Sequence, residues 1–77
     1  MGVIWIVREL DGKSVVWIQD ATNTGTALIE AALAGMDGGT VTDVIALDKA
    51  RAGRVPKRMV GRALTDWEVA ELLKQMG

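Results

Sequence analysis

The spacing of apolar residues changes period along the chain, and each change marks an element. Residues 3–10, VIWIVREL, and 14–19, SVVWIQ, are rich in β-branched and aromatic side chains and read as strands. Asp11-Gly12 lies between them, and this dipeptide suits a two-residue hairpin turn in which both central residues need positive φ. With Asp11 and Gly12 at the centre of the turn, Trp5 faces Ile18, Ile6 faces Trp17 and Val7 faces Val16. One face of the hairpin then carries Val3, Trp5, Val7, Val16 and Ile18, and it is the better core face. The other mixes Ile4, Ile6, Val15 and Trp17 with Arg8, Lys13 and Gln19, as a face open to water or to a partner would. Residues 20–26 read as a turn and helix start. Residues 24–34 then read as a helix with Ile29, Leu33 and Met36 on one stripe, Leu28 and Ala32 beside it, and Gly35 as its stop.

Residues 40–47, TVTDVIAL, read as a third strand, in which Val41, Ile45 and Leu47 alternate with Thr42, Val44 and Ala46 and Asp43 breaks the pattern. Residues 64–76, LTDWEVAELLKQM, give the clearest local signal. Thr65 and Glu68 have capping-box spacing, and Leu64 and Val69 flank them as a hydrophobic staple. Val69, Leu72, Leu73 and Met76 form the apolar stripe. Asp66 and Glu68 suit the positive helix start, and Lys74 suits the end.

These elements predict an α+β fold: a three- to four-stranded antiparallel sheet built as β-hairpin, helix, strand and C-terminal helix, in two layers. The expected core is Trp5, Val7, Val16, Ile18, Ile29, Leu33, Ile45, Val69, Leu72 and Leu73. With 77 residues the chain is read as one small domain, 1–77. A domain of this size buries only about 60% of its unfolded surface, so its margin of stability is thin.

Composition narrows the chemistry. There is no cysteine and no histidine, so a disulfide framework, a thiolate metal site and the commonest general base are excluded. Ser14 and the threonines have no histidine to activate them. DATNTG, 20–25, resembles the start of a calcium loop, but Ala31 stands where the bidentate Glu is required. GMDGG, 35–39, has the spacing of neither phosphate loop and reads as a helix stop and turn. No cofactor is expected, no metal, and no enzymatic activity. MGVIWIV is apolar but short, lacks a preceding basic region, and is followed at once by Arg8 and Glu9. It reads as neither a signal peptide nor a membrane span, and a cytoplasmic protein is expected.

Charge is segregated. Of the nine cations, six lie in KARAGRVPKRMVGR, 49–62, which holds no acid. The remainder carries three cations against ten acids, a net −7. Pro56 limits any strand in this segment to an edge, and Arg51, Ala52, Gly53 and Arg54 read as a mobile turn that orders on binding. A plain solvated surface is the ordinary reading of such a run. The functional readings are contact with an acidic protein surface and contact with nucleic-acid phosphates, through Arg51, Arg54, Lys57, Arg58 and Arg62. The segment has no aromatic for base stacking, and the acidic remainder repels a long polyanion, so a protein surface is preferred. Between Ser14 and Asp48 runs an uninterrupted acidic stretch that includes Asp37, Asp43 and Asp48, able to meet a basic partner or the basic segment of a second copy. Trp17, on the more polar hairpin face, is either covered by a second layer or an aromatic anchor for a partner.

Small size, absence of His and Cys, the hairpin–helix–strand–helix pattern and segregated charge together resemble the small phage- and mobile-element-encoded inhibitors of the anti-CRISPR type. The resemblance implies a viral, non-enzymatic inhibitor that occludes a protein or ribonucleoprotein complex by charge-complementary contact. It carries no functional residue over to this chain. A small nucleic-acid-binding protein, an antitoxin-like partner and a phage assembly protein share the same general character.

Overall fold

A computed structural model describes residues 2–76. Its order is β1 (Gly2–Leu10), β2 (Lys13–Ala21), α1 (Thr24–Ala34), β3 (Thr40–Ala46), α2 (Lys49–Ala52), a 3₁₀ turn (Lys57–Met59), β4 (Arg62–Ala63) and α3 (Asp66–Met76). The strands form one antiparallel sheet in the order β3-β1-β2-β4. The fold is therefore α+β, with the four-stranded sheet at the upper end of the expected range. No helix among the described residues is long and apolar enough to cross a membrane.

The hairpin has the register its turn dictates. Asp11 and Gly12 have φ of 52° and 80°, and Trp5 pairs with Ile18, Ile6 with Trp17 and Val7 with Val16. β3 joins β1 from the other side, with a register shift at Val7/Arg8 that leaves Thr42 as the extra residue of a bulge. The Thr42 hydroxyl donates to the Val7 carbonyl at 3.3 Å across this bulge.

Helices cover both faces of the sheet, which decides between the two readings of the mixed hairpin face in favour of a covering layer. On one face Ile4, Ile6, Trp17 and Ala21 pack against Ala27 and Ala31 of α1. On the other, Val16 and Ile18 pack with Met59, Leu64 and Leu72, flanked by Val3, Trp5, Val7, Val55, Val60 and Val69. The mixed face of the hairpin is thus a second core; Arg8 and Gln19 are buried in it, and Lys13 lies exposed at its end. Arg8 is buried, and its Nη1 donates to the carbonyls of Asp37 and Gly38 at 2.7 and 2.9 Å, tying down the α1–β3 connection.

The stripe expected on α1 is turned the wrong way. Ile29 and Leu33 are exposed, Leu33 at 84%, while Ala27 and Ala31 face the sheet. Trp17, Ile4 and Ile6 already fill the space above the strands, so only methyl side chains let the helix approach. Asn23 caps α1 by accepting from Thr26 N–H at 3.0 Å. Gly35, at φ 119°, ends it as a Schellman motif, with Met36 N–H on the Ala31 carbonyl and Gly35 N–H on that of Ala32. Ile45 and Leu73, also expected in the core, are half exposed at the rim between β3 and α3.

Candidate functional site: a braced basic surface

The basic segment is built as short pieces rather than one loop or strand. Asp48 starts α2 by accepting from Arg51 N–H at 2.8 Å, and its other oxygen lies 3.7 Å from Arg51 Nε. Gly53 N–H and Arg54 N–H close the next turn on the carbonyls of Lys49 and Arg51. Pro56 suits the entry to the 3₁₀ turn, whose first residues lack an internal acceptor for their N–H. Met59 N–H then bonds the Pro56 carbonyl. After it, Leu64 N–H reaches the Val16 carbonyl at 2.8 Å, and Gly61 N–H bonds that of Ile18. The apolar anchors are Val55, Met59 and Val60, which join the core cluster of Ile18, Leu64 and Leu72.

This bracing turns the charges outward. Lys49, Arg51, Arg54, Lys57 and Arg58 are all exposed. Arg54 Nη1 donates to the Gln75 carbonyl at 3.2 Å, at the negative end of α3. Beside them an open groove of about 620 Å³ is lined by Val3, Asp20, Ala52, Gly53, Val55, Lys57 and Val60. Among the described residues the ion pairs are Arg51–Asp48 and Arg62–Glu68, so Lys49, Arg54, Lys57 and Arg58 have no carboxylate partner there. No family model, curated protein or solved structure matches the chain.

The other expected site residues fall into different roles. Arg62 is committed within the fold: its Nη1 and Nη2 grip both oxygens of Glu68, and its Nε donates to the Arg58 carbonyl at 2.8 Å. Glu68 also accepts from Thr65 N–H at 3.0 Å, while Glu68 N–H returns a bond to Thr65 Oγ1 at 3.2 Å, completing the capping box. Trp17 is 5% exposed beneath α1, and its indole N–H donates to Gln19 Oε1 at 3.0 Å; it is a core residue, with no surface to offer a partner. Asp37 sits in the α1–β3 connection, Asp43 on the edge strand and Asp48 at the α2 cap, so the acidic stretch is dispersed along one side of the fold rather than gathered. Among the described residues no group of three or more acidic side chains is placed to hold a metal ion.

Trp67, 77% exposed on α3, is the large aromatic that sequence reasoning left without a partner role. The capping box fixes the phase of α3, and with Leu72 inward Trp67 must point out; that signal was available.

The Arg62 guanidinium and the Thr65 N–H hold the Glu68 carboxyl well below its ordinary 4.5, at about 2. A folded pKa below the unfolded one means the unfolded state binds more protons between the two values, so stability rises with pH there. The advantage of wild type over Glu68→Gln is expected to be full above about pH 4.5 and to vanish towards pH 2. Urea titrations of both proteins across that range check this. Salt should shrink the difference, because the Arg62 end of the pair is partly exposed.

Proposed function

We propose that this chain is a non-enzymatic binding protein that sets its basic surface on an acidic face of a protein or ribonucleoprotein complex and blocks it. The observation that carries the reading is that Lys57 and Arg58 project from a turn anchored by Met59 and Val60, with Arg54 just before the anchor Val55, and that none of the three has a carboxylate partner among the described residues. A surface held in place loses little freedom on binding, and its charge accelerates and orients encounter. A protein face is favoured over a nucleic-acid backbone because the segment holds no aromatic platform, and the residues outside it carry a net −7. The resemblance to anti-CRISPR inhibitors proposes the target class, a nucleic-acid-guided complex of a host cell.

The triple variant Arg54→Glu, Lys57→Glu, Arg58→Glu tests this. Affinity capture from nuclease-treated lysate is compared for wild type and variant, with circular dichroism confirming that both fold. A partner held by wild type and bound at least about tenfold more weakly by the variant supports the reading. Capture that disappears on nuclease treatment assigns the cations to phosphate instead. Identical capture by the two proteins overturns the electrostatic account.

A further inference from the structure

β3 ends the sheet, and nothing among the described residues pairs with its outer edge. Free edges template further strands, and proteins usually guard them with lysine, proline or very short strands. Here the edge is seven residues long, TVTDVIA, without lysine or proline. Its guards, the bulge at Thr42 and the charge of Asp43, lie towards its start and leave Val44–Ala46 regular. Ile45 is 51% exposed on this edge, and it lines a largely apolar groove with Trp5, Leu47, Arg51 and Leu73.

We propose that this edge is the seam of a homodimer, in which β3 of a second copy adds antiparallel and makes the two sheets continuous. The hydrogen-bond phase of β3 allows it. Leu47 N–H donates to the Val3 carbonyl at 2.9 Å, so the backbone groups of Leu47 and Ile45 turn inward to β1. By the alternation of an antiparallel ladder, those of Val44 and Ala46 turn outward. A twofold axis at Ile45 sets Val44 against Ala46 of the second copy, and each such pair exchanges two backbone bonds. Ile45 then meets Ile45 of the second copy at a non-hydrogen-bonded position, where Cα atoms are about 4.5 Å apart and side chains are closest. The twofold makes the patch self-complementary.

Asp43 selects this register. An axis at Asp43 would oppose two carboxylates, which is unfavourable. The axis at Ile45 instead sets Asp43 opposite Leu47 of the second copy. Asp43 and Leu47 lie on the same sheet face as Trp5, since Asp43 pairs with Val7 and the Leu47 N–H bonds Val3. Leu47 and Arg51 line the same groove, so in this register each Asp43 carboxylate arrives near the other copy's Arg51. Asp43 makes no ion pair within its own fold among the described residues, and Arg51 holds Asp48 only loosely, at 3.7 Å with both side chains mostly exposed. Arg54, Lys57 and Arg58 are not used at this seam, so the dimer stands apart from the binding function proposed above and would present two basic surfaces.

Because the chain has no cysteine, Ile45→Cys introduces a single thiol. In the register proposed, the two Cys Cα atoms are within disulfide range. The full chain is expected to sediment as two copies at high micromolar concentration. Ile45→Cys, equilibrated with a glutathione redox buffer, should run largely as a covalent dimer on a non-reducing gel, and Val41→Cys should not. Asp43→Arg and Arg51→Asp should each weaken dimerisation at least about tenfold, and the double variant should restore it. A single-chain mass for wild type, or cross-linking at residue 41 equal to that at 45, overturns the proposal. Failure of the double variant to recover the dimer overturns the register.

Discussion

Replacing Trp17 with alanine is expected to remove a large share of the protein's stability and to move its unfolding midpoint far down in urea. A truncated buried tryptophan costs about 3–5 kcal/mol, the lost transfer of the ring plus the cavity it leaves. At roughly 0.05–0.15 kcal/mol per residue, a 77-residue domain has only about 4–12 kcal/mol of stability in total. Trp17 is the largest side chain in the core between the sheet and α1, and the alanines opposite it cannot expand to fill the space. Gln19 Oε1 would also lose its buried donor. Trp67→Ala, at an exposed position on α3, is expected to change stability by no more than about 0.5 kcal/mol. Urea unfolding followed by circular dichroism compares the two. A Trp17→Ala protein as stable as wild type would mean that α1 does not cover the sheet as described. The same pair separates two kinds of tryptophan: if a partner is anchored by an aromatic of this chain, Trp67→Ala loses that binding while the fold stays intact.

The parts of this fold that are legible in the sequence are those settled by neighbours along the chain. Asp11-Gly12 fixes the hairpin register because both turn residues need positive φ, and every pair in β1 and β2 follows from that. Thr65 and Glu68 mark the start of α3 because the capping box is completed within four residues. The orientation of α1 is not local. Periodicity offers two stripes there, Ile29–Leu33 and Ala27–Ala31, and hydrophobicity favours the first. The choice is made by the side chains on the strands, whose bulk admits only methyl groups. Trp17 was ambiguous for the same reason: whether a face is covered depends on which side of the sheet the chain crosses after Ala21. In the basic segment the charges are legible and their division of labour is not. Arg62 becomes a fold residue only because β4 ends beside the first turn of α3.

Met59→Ala is expected to destabilise the protein by about 2–5 kcal/mol and to loosen the surface that carries Lys57 and Arg58. Met59 is 1% exposed and follows those two cations directly in the 3₁₀ turn. It is the most deeply buried side chain of residues 49–62, packed with Ile18, Leu64 and Leu72, so it links the cations to the core. The other anchors around it are weaker: Val55 and Val60 are only partly buried, β4 spans just Arg62–Ala63, and the exposed Arg51–Asp48 pair adds little. Loss of the Met59 side chain should therefore open this region before the hairpin. Amide exchange reads that directly: Gly61 and Leu64 N–H, which bond the carbonyls of Ile18 and Val16, should lose protection, while amides paired between β1 and β2 retain more of theirs. Met59→Leu, close in volume, should cost less than about 1.5 kcal/mol and leave exchange nearly unchanged. The functional consequence follows from the same physics. A loosened segment must be ordered again on binding, which opposes association even though every cation is still present. Met59→Ala protein, assayed at a temperature where its hairpin remains folded, is expected to bind the partner more weakly than wild type. Equal affinity with lost protection at Gly61 and Leu64 would show that the charges act without the bracing.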